Sequence, residues 1–241
     1  MYDLTKFTLS QMITCGAELR DMSTGAGSME EVAGRIVHHL YEQLGDPDQE
    51  VSACALVRMY KTHPYHDLEP DLQDFVRTIL DSEPDPTDMK CPTLLATVGE
   101  RPEWNDRTRS AGHRAIPLAS EQMVSQIPMI TQLVKQFGLE IGHVLQPDPE
   151  LLVDLEQQTY NVFHVPDAEG SPYIPAQEEF VIPYGIKSVV GFGGMLPSGD
   201  LFTVIIFAKV PVPRETADLF KSLSLSVKMS VLPFSGGPVF A

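Results

Sequence analysis

Thiol and imidazole side chains carry the most distinctive chemistry in this sequence. The chain has three cysteines and seven histidines, and thiolates and imidazoles are natural ligands for iron, zinc and copper. None of them stands in a CxxC or HxxxH spacing, so any metal or haem site must be assembled by the fold. The candidate ligands are Cys15, Cys54, Cys91, His63, His66, His113 and His164.

The strand pattern narrows these candidates. If the apolar runs 51–60 and 94–98 pair as antiparallel strands, Cys91 comes near Tyr60 and lies roughly 20 Å from Cys54, at about 3.3 Å per residue. Those two thiols then cannot share one metal, and Cys91 with His63 and His66 forms the most compact constellation. The competing interpretation makes Cys54 a small core residue, Cys15 a helix-packing residue and His63 part of a turn.

The charge balance excludes several classes of partner. The 33 acidic and 17 basic side chains give a net charge of −16, which repels nucleic acid and anionic lipid. No apolar run reaches the roughly 18 to 20 residues that span a bilayer, and the N-terminus has no signal-peptide pattern. The odd, widely spaced cysteines do not predict a disulfide framework. We therefore expect a cytoplasmic protein that binds neither nucleic acid nor membrane.

Sequence motifs for catalysis are not found. The chain has no GxSxG, HExxH, P-loop or dinucleotide fingerprint. Gly191, Gly193 and Gly194 imitate a glycine-rich loop, but they follow a strand and enter a hairpin without opening a helix. They are therefore not expected to cradle a phosphate.

The first half of the chain predicts two helices followed by strands. Apolar residues repeat at helical spacing from Leu4 to Arg20, and Ser28 with Glu31 predicts a capping box for a second helix that ends at Gly45. Strands are predicted over 51–60 and 94–98, with a helix over 70–80 and a proline-rich linker over 82–88 between them.

The second half predicts an irregular insert, a hairpin and a long helix. A helix that starts at Ser120 must kink or restart at Pro128, and another begins at Asp148-Pro149. A short strand over 161–165 precedes a hairpin of strands 185–195 and 201–209. The helix after Pro213 carries two apolar stripes, and the second stripe needs a partner other than the sheet. Its members are Leu225, Met229 and Leu232.

These elements resemble a GAF domain, with the resemblance strongest over the block 184–232, which contains IKSVVGF, a glycine-containing turn and LFTVIIFAK. The sequence is also similar to the N-terminal input segment of bacterial hybrid histidine kinases. The resemblance implies an α+β fold: an antiparallel sheet with the N- and C-terminal helices on one face and a helical insert over the other. We predict one domain over 1–241, with N-terminal helices over 1–45, an enlarged insert over 82–160, and the closing hairpin and helix over 184–232.

The resemblance implies a sensory input domain that binds a small molecule or responds to a redox cue, forms a homodimer through its terminal helices and regulates an attached output such as a histidine kinase. It implies a regulatory domain and not an enzyme. The ligand would lie under the insert, where aromatic walls with a few polar groups suit a small organic molecule. The candidate ligand-binding residues are Trp104, His113, His164, Tyr173, Phe180 and Tyr184.

The cofactor stays open at this point. The residue pattern of cyclic-nucleotide GAF domains is not visible. The segment Ile174-Pro175-Ala176-Gln177 resembles part of a bilin-binding loop, but no cysteine follows Cys91 that could tether a chromophore. Both ligands are therefore disfavoured. Two alternatives are kept: a metal- or haem-binding redox or gas sensor on the same fold, and a thiol-dependent methionine sulfoxide reductase, which would need clustered cysteines.

Overall fold

The structure, a computed structural model, describes residues 1–46, 51–80, 89–110, 112–147, 152–236 and 239–240. The strands within these ranges are β1 (Tyr2–Asp3), β2 (Leu44–Asp46), β3 (Val51–Ser52), β4 (Cys54–Pro64), β5 (Lys90–Gly99), β6 (Phe163–Val165), β7 (Ser188–Met195) and β8 (Leu201–Ala208). The helices are α1 (Leu9–Arg20), α2 (Met29–Gln43), α3 (Pro70–Leu80), α4 (Glu121–Ser125), α5 (Pro128–Phe137), α6 (Ile141–Leu145), α7 (Leu152–Gln157) and α8 (Arg214–Val231).

Five strands form one antiparallel sheet in the order β5-β4-β8-β7-β6. Helices α1, α2 and α8 share one hydrophobic core with the sheet, and a second core lies between the opposite face and the insert helices α4 to α7. Successive side chains of a strand point to opposite faces, so one set of strands serves both cores. The predicted α+β arrangement is confirmed.

Local signals explain where the helices begin. Thr8 and Gln11 make a reciprocal capping box for α1. In α2 the Ser28 hydroxyl accepts from the Glu31 N–H at 3.1 Å, whereas the Glu31 carboxylate accepts from Gly27 N at 2.9 Å instead of completing the predicted box. The predicted helix through Pro128 is two helices, because Pro128 is accepted only in the first turn of α5.

The sheet strands are displaced from the predicted ranges. Strand β4 begins at Cys54 and runs on to Pro64, and β5 is five residues longer than predicted. Cys91 consequently pairs with His63 and not with Tyr60, whose partner is Leu94. The predicted linker 82–88 and the helix start at 148–149 lie outside the described residues.

The glycine-rich stretch of β7 has a packing role. A Cβ at Gly193 would lie 2.0 Å from the Phe202 carbonyl oxygen on the neighbouring strand β8. The glycine therefore permits close approach of two backbones. In line with the sequence analysis, this stretch lies within a strand and opens no helix.

Candidate functional site

A cavity of about 520 Å³ lies between the sheet and the insert. Its floor is formed by alternate residues of β4 and β8, because residues two apart on a strand share one face. Its walls come from α5, the loop that follows β5 and the segment that precedes β7. The floor residues are Leu56, Arg58, Tyr60 and Thr62 on β4 and Leu201, Thr203, Ile205 and Phe207 on β8.

One end of the cavity is walled by aromatic rings. Trp104 lies 4.5 Å from the Tyr184 ring and 5.5 Å from the Phe180 ring, and Phe180 meets Phe207 edge to face at 5.0 Å. Phe180 projects from a π-helical turn over Gln177–Val181, an element that is frequent at functional sites. Rings in edge-to-face contact form a rigid apolar wall suited to a planar ligand.

The main polar group of the floor is Arg58. Its Nη1 donates to the Tyr60 hydroxyl at 3.3 Å and its Nη2 donates to Ser110 Oγ at 3.0 Å. Its Nε is buried without a hydrogen-bond partner. Within the part of the chain that the structure describes, no carboxylate forms an ion pair with Arg58.

A second cation of the same strand, Lys61, is paired with a carboxylate. Lys61, one position beyond Tyr60 and on the opposite face, has its Nζ 2.8 Å from Asp200, which also pairs with Lys90 at 2.6 Å. Buried charges are normally paired in this way because an unpaired one is costly. Arg58 has only neutral partners and so departs from the pattern.

His113 lies at the mouth of the cavity. Its backbone has φ of 59°, a left-handed conformation that costs a non-glycine residue about 1–3 kcal/mol and is concentrated at functional sites. Its side chain keeps contact with solvent, but desolvation by the cavity walls, followed by the charge of Arg58, lowers its pKa. This shift favours the neutral imidazole, which can accept or donate a hydrogen bond.

Acidic side chains stay at the mouth. Glu103 and Glu179 are both exposed lining residues, and Glu103 is paired with Arg101 at 2.9 Å. Arg109 also lines the mouth and is exposed. The floor is consequently more positive than the entrance.

The predicted ligand-binding residues separate into two groups. Trp104, His113, Phe180 and Tyr184 line the cavity. His164 and Tyr173 line a shallow depression on the other side of the β6 loop, where His164 Nε2 contacts the Val212 carbonyl at 2.9 Å. The structure does not bring these two to the cavity. Phe163 and Val165 belong to the core under the insert, so His164 between them points to the opposite face of the sheet, and Tyr173 is exposed.

The predicted metal ligands are only partly assembled. His63 and Cys91 are register partners, but His66 is exposed and lies 3.2 Å from Asp67. Among the described residues, no group of three or more His, Cys, Asp or Glu side chains is arranged to hold a metal ion. His63 is held between the Lys61 carbonyl and the Phe240 ring. These three donors therefore do not form a metal-ion site.

The three thiols are separated from the cavity. Cys15, Cys54 and Cys91 are buried, and burial raises the pKa of each thiol to about 12. A protonated thiol is a poor nucleophile and a poor ligand. No cysteine is among the described residues that line the cavity, so the geometry does not favour a thiol-dependent reductase.

Sequence reasoning missed the strand residues of the site. Arg58, Tyr60 and Thr203 lie inside runs that read as continuous apolar strands, and Ser110 lies in a loop without pattern. One signal was available: a charged residue in the centre of an otherwise apolar strand is rarely buried unless it has a partner.

The chain is similar to several solved structures. It resembles the GAF domain of a phosphoenolpyruvate-protein phosphotransferase from Coxiella burnetii, with 11% identity, 92% of each chain covered and a TM-score of 0.44. It also resembles the phycocyanobilin-bound GAF domain of a cyanobacterial phytochrome, with 10% identity, 92% and 94% covered and a TM-score of 0.42.

An N-acylhomoserine lactone dependent LuxR family transcription factor from Burkholderia cenocepacia matches with 12% identity, 95% and 99% covered and a TM-score of 0.39. GAF domains, which the sequence resembles, thus recur among the structural neighbours. Similarities of this level do not assign a ligand or an activity. No family model and no curated protein matches the chain. No helix within the described residues is long and apolar enough to cross a membrane.

Proposed function

We propose that the chain is a sensory input domain that binds a small organic ligand in the cavity and regulates an attached output such as a histidine kinase. The observation that supports it is a cavity of about 520 Å³ on one face of the sheet, with an aromatic wall and a few polar groups. Ligand sites commonly have about 300–1,000 Å³ and this mixture of lining residues.

Transmission would proceed through the loop that follows β5. This loop carries the cavity residues Ser110 and His113, and it also carries Arg107, whose guanidinium pairs with Glu30 on α2 at 2.5 Å and with Glu69 at 3.1 Å. Arg107 also stacks on the Phe240 ring at 4.3 Å. A ligand that moves this loop would therefore act on the helical face of the sheet.

The proposed homodimer would use the outer surface of α1 and α8. These helices pack closely, since a Cβ at Gly16 would lie 2.9 Å from Ser226 Oγ. Away from the sheet, α1 exposes Leu9 and Ile13, and α8 exposes Leu225 and Met229, each more than half accessible. A dimer would cover these side chains.

The test of ligand binding compares the wild-type protein with a variant whose cavity is filled. Leu133, a lining residue on α5, would be changed to Trp, and Leu219→Trp on α8 would serve as the control. We expect native mass spectrometry to find a small organic molecule with the wild-type and Leu219→Trp proteins and to find it lost from Leu133→Trp. Equal occupancy of all three proteins would place the molecule elsewhere and contradict the proposal.

A further inference from the structure

We infer that the cavity is selective for an aromatic carboxylic acid, with the carboxylate held by Arg58 and the ring held between Trp104, Phe180 and Tyr184. This inference rests on the proposed ligand-binding function and names the chemical class of the ligand. It starts from the half-buried Arg58, whose buried Nε–H has no hydrogen-bond partner and whose guanidinium has no acidic partner among the described residues.

The unsatisfied donor of Arg58 points to an anion. A guanidinium carries five N–H donors in a planar fork that matches the two oxygens of a carboxylate. The Nε–H is buried without a partner, and the two hydrogen bonds of the terminal nitrogens go to the hydroxyl groups of Tyr60 and Ser110. Because removal of a cation from water without an anion is unfavourable, a carboxylate in the cavity would supply the missing partner.

Neighbouring hydroxyl groups extend this anion site. Tyr60 accepts from Arg58, so the Tyr60 O–H remains available as a donor toward a ligand oxygen. Thr203 is the register partner of Tyr60 and also lines the cavity. On the other side Thr97, the register partner of Arg58 on β5, has a buried hydroxyl without a hydrogen-bond partner. The cation is thus surrounded by neutral hydrogen-bonding groups.

The distance from this anion site to the aromatic wall sets the size of the ligand. Leu56 and its register partner Phe207 mark the aromatic end, and Arg58 is two residues further along β4. Two residues of a strand span about 7 Å. An acid with one or two carbons between ring and carboxylate fits this separation.

The charge distribution favours a single carboxylate over a phosphate. One guanidinium lies on the floor, while the exposed residues Glu103, Glu179 and Arg109 lie at the mouth. A phosphate dianion carries more charge than this site neutralises, and most of the surrounding side chains are apolar. An amphipathic monoanion satisfies both the cation and the apolar walls.

The experiment measures binding of indole-3-acetate and 3-phenylpropionate, each paired with its neutral amide, by calorimetry on the purified full chain after removal of any bound molecule. We expect at least one acid to bind about tenfold or more tightly than its amide. Loss of a charge-assisted hydrogen bond corresponds to about tenfold to hundredfold in affinity, so Arg58→Met should weaken the acid by this factor and leave the amide unchanged. Inorganic phosphate should not compete.

Two control proteins separate charge from folding. Arg58→Lys keeps the cation and should retain part of the preference for the acid, and Arg214→Met removes an exposed arginine that pairs with Asp218 on α8 and should bind like the wild type. Equal affinity for acid and amide, or an acid preference that survives in Arg58→Met, would overturn the inference. Absence of binding by all four probes would also overturn it. The proposed function has a separate readout, the molecule lost from Leu133→Trp.

Discussion

The two faces of the five-stranded sheet are built from alternating residues of the same strands, yet they are packed differently. The face under α1, α2 and α8 is packed with apolar side chains, and its buried cation Lys61 is paired with Asp200. The face under the insert keeps a cavity and a half-buried arginine, Arg58, which has no acidic partner among the described residues. Protein interiors are normally close-packed, so a cavity lowers stability. Its presence on the insert side, which we call the open face, indicates a functional role for that face.

The largest difference in stability between the two faces is expected when one aromatic ring is removed from each face. Phe220 on α8 is fully buried and contacts Phe7 and Phe192 at 5.4 Å, whereas Phe180 is half-buried beside existing empty space. We expect Phe220→Ala to lower the free energy of unfolding by about 3–5 kcal/mol and Phe180→Ala to lower it by about 1–2 kcal/mol. Urea titration of both variants measures this. Equal losses would show that the faces are packed alike.

The next difference concerns the protonation of a histidine on the face under α1, α2 and α8, which we call the closed face. His63 shares the closed face with Val57 and Met59, and burial, followed by the charge of Lys61, lowers its pKa to about 3. Asp200 opposes this shift and Lys90 adds to it. Because the folded-state pKa lies below the unfolded value of 6.5, the stabilisation is complete above pH 6.5 and is lost as the pH falls toward 3. A drop from pH 7 to pH 5 should remove about 2 kcal/mol.

The variant His63→Phe tests whether His63 causes this dependence of the free energy of unfolding on pH. Phenylalanine fills the ring site beside Phe240 but takes up no proton, so unfolding midpoints of this variant should depend less on pH between 7 and 5. The exposed residue His66 supplies the matched control, and His66→Gln should keep the wild-type slope. A slope that persists in His63→Phe would assign the acid sensitivity to other groups.

The smallest effect on stability is expected at the exposed stripe of α8. Leu225 and Met229 are 62% and 52% accessible, and surface substitutions usually change stability within about 0.5 kcal/mol. The double change Leu225→Glu with Met229→Glu should nevertheless convert a dimer into a folded monomer in sedimentation analysis, whereas Arg214→Glu on the same helix should not. An unchanged dimer mass would refute this face as the interface.

Elements with local signals could be predicted from the sequence. Helix α3 has the predicted bounds, and the β7–β8 hairpin agrees within three residues at each end, because helical periodicity and turn residues are local properties. The register of β4 against β5 could not be predicted, since it depends on pairing across the chain. The predicted metal ligands are not assembled for this reason. The observed register differs from the predicted one by three residues, so Cys91 lies beside His63 and not Tyr60, while His66 is exposed to solvent.

The residues that line the cavity were among the predicted candidates where they lie in irregular segments, and were missed where they lie in the sheet. Trp104, Phe180 and Tyr184 stand out as aromatic residues in irregular segments, which are common at binding sites. Arg58 and Thr203 each lie between two apolar neighbours in their strands, and nothing local tells which face they take. His164 was expected at the cavity, but it alternates with Phe163 and Val165, which face the insert, and so it points to the other face of the sheet.

The stability of Arg58→Met without ligand tests the central claim most directly. If the open face keeps this cation for a ligand, a neutral side chain of similar length should leave the free energy of unfolding unchanged or raise it by about 1 kcal/mol, since partial desolvation of a charge without an anion is unfavourable. Urea denaturation of the ligand-stripped proteins at pH 7 measures it. A loss of about 2 kcal/mol or more would show that Arg58 supports the fold and would contradict the account.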